Sequence, residues 1–377
     1  MKENRRNFIK KSAAITALSI TGLNACTPAS SEEKEKNNAK ASRIKEEYVK
    51  DAGMKFALMM GLDSPRVPLA KQMGVLHAVS GVKRDTDLNP WDPKAITATK
   101  EAWEKEGMKW SVVEGPPSLH SKTKLGLEGK DEEIENFITF MKNLKQYGDV
   151  DVICYNWMPV ISWARTTMDR PGRGGALVTA FDNEDIVGRP MTEYGEISKE
   201  LLWKNLEYFL KAVVPEAEKI GMNLSLHPDD PQVDSIQGIS RIMNTVENFD
   251  RMLDIYPSKN SGLTMCQGNF ALMGTDIPAL IRRWGKRGAI NFVHFRNVEG
   301  GKYNFVETFH DEGQINMYEA MQAYHDIGFK GTIRPDHVPT MAGEENTRPG
   351  YMTIGTLFAI GYMRGLIEGA SKEANRA

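Results

Sequence analysis

Eight short apolar runs, separated by stretches of helical periodicity, constrain this chain more than any other feature. They are Lys55–Gly61, Gly74–Val79, Lys109–Val113, Asp151–Trp157, Asn223–His227, Gly262–Cys266, Asn291–Phe295 and Gly331–Arg334. Short runs rich in β-branched and aromatic residues read as strands. Between them, Asp131–Tyr147 repeats apolar residues at a period near 3.6 (Ile134, Phe137, Ile138, Met141, Leu144). Lys199–Ile220, Ile239–Ile255, Asp276–Trp284 and Gln314–Ile327 read as further helices. Regular alternation of strand and helix predicts a parallel sheet, and eight repeats predict an α/β fold of the (β/α)8 TIM-barrel type. A doubly wound open sheet is the alternative. One gap, residues 158–198, is long and weakly periodic. Following the fourth strand, it reads as a lid over the catalytic face or a disordered excursion.

In such a barrel the C-terminal strand ends carry the chemistry. His227, Cys266, His294 and Asp336 fall at the ends of strands five to eight. Taken singly, each has an ordinary role: a histidine or aspartate orienting a turn, a cysteine filling the core. Four at one barrel mouth point to a shared divalent cation. Two imidazoles, a thiolate and a carboxylate suit Zn²⁺, Fe²⁺ or Mn²⁺ and are too soft a set for dedicated Mg²⁺ or Ca²⁺ binding. Thiolate and carboxylate together neutralise the ion, leaving room for an anionic substrate. His337 stands next to Asp336, and an imidazole is the side chain best suited to proton transfer near neutral pH. Adjacent residues on a strand face opposite ways, but the strand ends here. Tyr351 follows Pro349-Gly350. Arg296 and Arg334 can meet a substrate carboxylate or neighbouring acids.

The 377 residues, 41% hydrophobic, can bury one large core, expected over 49–370. The net charge of −2 becomes −6 once the +4 balance of residues 1–25 is removed. A mildly acidic product without a basic stripe argues against nucleic acid as a partner. Three cysteines, Cys26, Cys154 and Cys266, form no disulfide framework. At the N-terminus, Arg5-Arg6 followed by Phe8-Ile9-Lys10 reads as a twin-arginine export signal over residues 1–25. Leu23-Asn-Ala-Cys26 reads as a lipobox, and the polar segment 26–48 as a flexible tether. The expected location is periplasmic or cell-surface, with lipid on Cys26 as the membrane contact. An exposed barrel helix can pair two copies, so a homodimer is an open arrangement.

Several strings together resemble the mannonate dehydratases: Trp110-Ser-Val-Val-Glu114, Cys154-Tyr-Asn-Trp-Met-Pro159, Leu226-His-Pro-Asp-Asp-Pro231, Met265-Cys266, Arg334-Pro-Asp-His337 and Pro349-Gly-Tyr351. The likeness runs from about residue 108 to 365. Gln232 stands where the family has a second proline, and His294-Phe-Arg-Asn297 replaces the usual His-Leu-Arg-Ser. The resemblance implies a xylose-isomerase-like barrel and a Mn²⁺- or Fe²⁺-dependent hydro-lyase acting on an aldonate, D-mannonate to 2-keto-3-deoxy-D-gluconate. It implies metal on His227, Cys266, His294 and Asp336, and an acid/base pair of His337 and Tyr351. It places Asn156, Arg296 and His310 near the substrate, to which the residues themselves add Arg334. Sugar isomerisation or epimerisation on the same barrel, and a non-catalytic sugar-acid-binding lipoprotein, are the alternatives.

Overall fold

The computed structural model describes residues 51–83 and 87–374. The export signal, Cys26 and the tether lie outside the described residues. Eight parallel strands close into a barrel in sequential order: Lys55–Met59, His77–Val79, Lys109–Glu114, Val152–Asn156, Asn223–His227, Ser261–Cys266, Ile290–Phe295 and Thr332–Pro335. The last pairs with the first through Lys55↔Thr332 and Phe56↔Ile333. The expected barrel is therefore present, and the open sheet is excluded.

The barrel lumen is filled by a small cluster, with Ala57, Val79, Val112, Val152, Cys154 and Phe292 all buried. Cys154 Sγ lies 3.2 Å from Thr264 Oγ1 there, so this cysteine is a lumen residue. A larger core between barrel and helices includes Phe137, Leu206, Phe209, Val213 and Ile281. Side chains fix the helix starts. Ser198 accepts from Leu201 N, and Asp276 accepts from Ala279 N. No helix among the described residues is long and apolar enough to cross a membrane.

Two local expectations are corrected. The segment 158–198 is structured and not a disordered excursion. It contributes strands Thr167–Pro171 and Leu177–Asp182 to a four-stranded antiparallel sheet completed by Val298–Gly301 and Asn304–Glu307. Leu177–Asp182 is buried along its middle four residues, so it shows no alternation. One partner, Asn304–Glu307, lies far along the chain, and the other, the local hairpin strand Thr167–Pro171, is mostly exposed and shifts register, so no alternating pair marks it. The expected helix from Ile239 begins only at Val246, where Thr245 accepts from Asn248 N. Ile239–Ser240 instead pairs with Ser235–Ile236 across Gln237 and Gly238, both at positive φ (48° and 87°). That is the geometry of a two-residue hairpin turn.

Candidate metal and active site

Register brings the strand ends together. Asn156 pairs with His227, Cys266 with His294, and His294 with Arg334. His227, Cys266 and His294 each offer a ligand atom, and these atoms lie within 4.8 Å of one another. Asp336 Oδ2 stands 3.6 Å from His294 Nδ1 and 3.8 Å from Cys266 Sγ. The four residues thus meet at one place. His227 Nδ1 lies 2.7 Å from the Pro228 carbonyl, which can only accept. Nδ1 therefore carries the hydrogen, and Nε2 keeps its lone pair for a cation.

The chemistry of this set fits a divalent ion. His294 Nε2 is buried without a hydrogen-bond partner. Burial works against a charged His294 ring, and Arg334 does too, yet Glu114 and Asp336 raise its pKa well above the ordinary value. The position favours positive charge. Burial alone would push the Cys266 thiol up. Arg296 and the imidazoles of His227 and His294 pull it down to about 6, so the thiolate prevails at neutral pH. Glu114, Asp230, Glu307 and Asp336 with that thiolate make five negative groups against the guanidiniums of Arg165, Arg296 and Arg334. With both imidazoles neutral, as metal ligands are, a divalent cation offsets the difference of two.

Beside this cluster lies a cavity of about 160 Å³, lined among others by Glu114, Asn156, Trp163, His227, His294, Arg334, Asp336, His337 and Tyr351. His337 adopts φ 28°, a left-handed value uncommon outside glycine. This breaks strand alternation, which is how Asp336 and His337, adjacent in sequence, both line the cavity. A backbone bridge, Val338 N to Gly350 O at 2.8 Å, returns the chain so that the Tyr351 ring meets the His337 ring edge-on at 5.2 Å. The Tyr351 hydroxyl lies 3.4 Å from Asp336 Oδ1. Its desolvated setting and the Asp336 carboxylate outweigh Arg334 and raise its pKa well above the usual phenol value.

The remaining predicted residues divide. Asn156 and Arg334 line the cavity. Arg334 is also committed to acids, with Nη1 2.7 Å from Asp336 Oδ1 and Nη2 2.9 Å from Glu114 Oε1. Arg296 and His310 are fully buried behind the wall and do not line it. Arg296 pairs with Glu307 (2.6 and 2.8 Å) and Asp230 (3.1 Å). His310 Nε2 donates to the Phe295 carbonyl at 2.8 Å, and burial lowers its pKa to about 4.

Four residues escaped sequence reasoning. Arg165 donates to Asp230 at 2.5 Å and to Glu307 at 2.6 Å, closing a buried ring of two arginines and two carboxylates. Glu307 Oε1 meets His337 Nδ1 at 2.9 Å. Trp163 packs edge-on against the His337 ring at 5.8 Å. Glu114 stands 3.5 Å from His294 Nε2. The one signal in the sequence was the pair Asp229-Asp230 inside Leu226–Pro231, of which Asp229 accepts from Met243 N at 2.7 Å and Asp230 joins the ring.

The D-mannonate dehydratase (UxuA) family profile matches residues 60–190 and 185–377. "Mannonate dehydratase 2" of Halalkalibacterium halodurans is 36% identical over 338 residues, covering 82% of this chain and 96% of that one. Mannonate dehydratase of Streptococcus uberis is 36% identical over 311 residues, covering 75% and 88%. The solved mannonate dehydratase of Streptococcus suis serotype2 superposes with a TM-score of 0.79 at 33% identity, covering 85% and 95%. A D-tagatose 3-epimerase-like protein shares the fold alone, with a TM-score of 0.56 at 16% identity. By profile, by relatives and by the barrel that carries these side chains, the chain belongs to the D-mannonate dehydratase family.

Proposed function

We propose that the chain removes water from an aldonate, first of all D-mannonate, to give a 2-keto-3-deoxy acid. His227, Cys266, His294 and Asp336 would hold Mn²⁺ or Fe²⁺, with Zn²⁺ a third candidate. A cation there supplies Lewis-acid stabilisation of the charge that builds on the substrate carboxylate. What carries the proposal is one juxtaposition: a metal-competent cluster and the His337–Tyr351 pair face the same cavity.

The reaction breaks the C–H bond next to the carboxylate and expels the hydroxyl of the next carbon. The resulting enol then tautomerises to the ketone. One group must take the proton and another must protonate the departing oxygen. Glu307 can only accept, so His337 Nδ1 holds its hydrogen and Nε2 offers a lone pair as base. Tyr351, with its raised pKa, keeps its proton and is the donor to the leaving hydroxyl. Asn156 and Arg334 line the cavity and would meet substrate oxygens. Arg296 and His310 would act from behind the wall.

Incubation of the Mn²⁺- or Fe²⁺-loaded protein with a panel of aldonates tests this. A 2-keto-3-deoxy product, lighter than its substrate by one water, is expected. A product of unchanged mass would establish isomerisation or epimerisation instead, and binding without any product would leave a sugar-acid receptor.

The proposal extends to the cell. Arg5-Arg6 and Leu23-Asn-Ala-Cys26 support twin-arginine export and lipid attachment at Cys26. Mass analysis of the mature N-terminus is expected to find a lipid-bearing Cys26, and a chain starting at Met1 would refute it. Pairing through an outer helix would make a homodimer, which sedimentation velocity resolves.

A further inference from the structure

Lys124 is a buried lysine that the dehydration chemistry leaves unused. It sits on the short helix Ser121–Leu125 and is 7% exposed. Its Nζ donates to Asn156 Oδ1 at 3.0 Å. Among the described residues no carboxylate forms an ion pair with it. Burial lowers its pKa to about 8, with Glu133 and Asp229 opposing and Arg241 adding to the shift. An ammonium withdrawn from water without a carboxylate in direct contact is costly. The helix carrying it is nonetheless tied down at two points. Glu133 Oε2 accepts from Thr123 N at 2.7 Å, and Asn205 Nδ2 donates to the Lys124 carbonyl at 2.9 Å.

What this placement controls is the Asn156 amide. Its Oδ1 accepts from Lys124 Nζ and from Met158 N, both at 3.0 Å. Both partners are donors, so the oxygen must be the end that faces them. The Nδ2 end has no hydrogen-bond partner among the described residues, and Asn156 lines the cavity beside His227 and His337. We infer that Lys124 is a positioning residue that locks Asn156 as a pure hydrogen-bond donor, selecting a substrate oxygen at that point of the cavity. The substrate class, a hydroxyl or carboxylate oxygen of an aldonate, rests on the dehydratase reading above. The simpler role, a lysine that only anchors its helix, makes a different prediction.

The test compares Lys124→Met, Asn156→Ala and the double variant in the full-chain, Mn²⁺-loaded enzyme with D-mannonate. Lys124→Met is expected to raise KM by about tenfold, the scale of one lost hydrogen bond to substrate, while kcat changes far less. Asn156→Ala should match it, and the double variant should be no worse than Asn156→Ala alone. Lys124→Arg, which keeps the donor, should restore most of the loss. An unchanged KM in Lys124→Met, or a double variant showing both losses in full, overturns the inference. Should Lys124→Met fail to fold, Lys124→Leu carries the same comparison, since it too offers no donor. If the wild-type enzyme turns over no aldonate, the dehydratase reading fails by itself. The lock is then read from the Asn156 side-chain amide resonance, which should move in Lys124→Met, and an unmoved resonance overturns it.

Discussion

His337 Nδ1 lies 2.9 Å from Glu307 Oε1, and Glu307 is itself gripped by both Arg165 and Arg296. The carboxylate fixes the tautomer and the tilt of the imidazole, as acidic partners do for histidines that must act through one nitrogen. Glu307→Gln keeps the shape but can present an N–H to the ring. Turnover should fall by about 10- to 100-fold with metal content unchanged, read by steady-state kinetics beside elemental analysis.

His337 and Tyr351 should separate by isotope exchange. His337→Asn is expected to lower turnover by at least about 10²-fold and to abolish exchange of the substrate C2 proton with deuterated water. Tyr351→Phe should lose turnover to a similar degree yet retain C2 exchange. The opposite pattern would reverse the two roles.

Chelation should remove activity, and Mn²⁺ or Fe²⁺ should restore it. Cys266→Ala takes away a group that is already a thiolate at neutral pH, its pKa being drawn down to about 6 by Arg296 and the imidazoles against the effect of burial. Metal affinity in that variant should drop by more than the roughly 10- to 100-fold seen when only a ligand's partner is lost. Competition with a fluorescent chelator measures it.

The buried ring of Arg165, Asp230, Arg296 and Glu307 makes stability depend on acid. Burial would raise Glu307, but Arg296, His337 and Arg165 bring it down to about 2, and the two arginines hold Asp230 well below the carboxylate range. Unfolded carboxylates titrate at about 4. The ring's contribution is therefore complete above about pH 4 to 5 and is lost as pH falls toward the folded values. Denaturant melts of the metal-free protein between pH 6 and 3, as rough bounds, should show the decline. Asp230→Asn, which leaves two arginines short of a partner, should flatten it while costing about 3–5 kcal/mol at neutral pH.

Gly355 sits in the first turn of the final helix, Thr353–Ala374, where an added Cβ would lie 2.3 Å from the Pro339 carbonyl oxygen. Gly355→Ala must push the helix away from the segment that follows His337, and Tyr351 lies just before that helix. A loss of about 1–3 kcal/mol is expected, the usual cost of overpacking, together with a drop in kcat. Thermal melts and kinetics on the same sample check both.

The barrel was legible because each of its strands is a short apolar run, and Asn223–His227 begins and ends where the pattern places it. The four strand-end residues were legible for the same reason, since a parallel barrel puts all such ends on one rim. Glu307, Arg165 and Glu114 were not. Each is an acid or base whose partner lies 11 to 220 residues away, and no local period marks a buried ion pair. The excursion 158–198 hid its strands because Thr167–Pro171 is mostly exposed, Leu177–Asp182 shows no alternation, and the latter's other neighbour lies near residue 305. Arg296 looked like a group for substrate, but only the packed fold shows it occupied by Glu307 and Asp230.

Glu307 ends the strand Asn304–Glu307, which is laddered to Leu177–Asp182 outside the barrel. The imidazole is thus mechanically in series with a hairpin that lies outside the strand order of the catalytic cylinder. Lengthening or stiffening that hairpin would retune proton transfer from a distance, giving this rim a means of diverging in rate while every residue around the cation stays as it is.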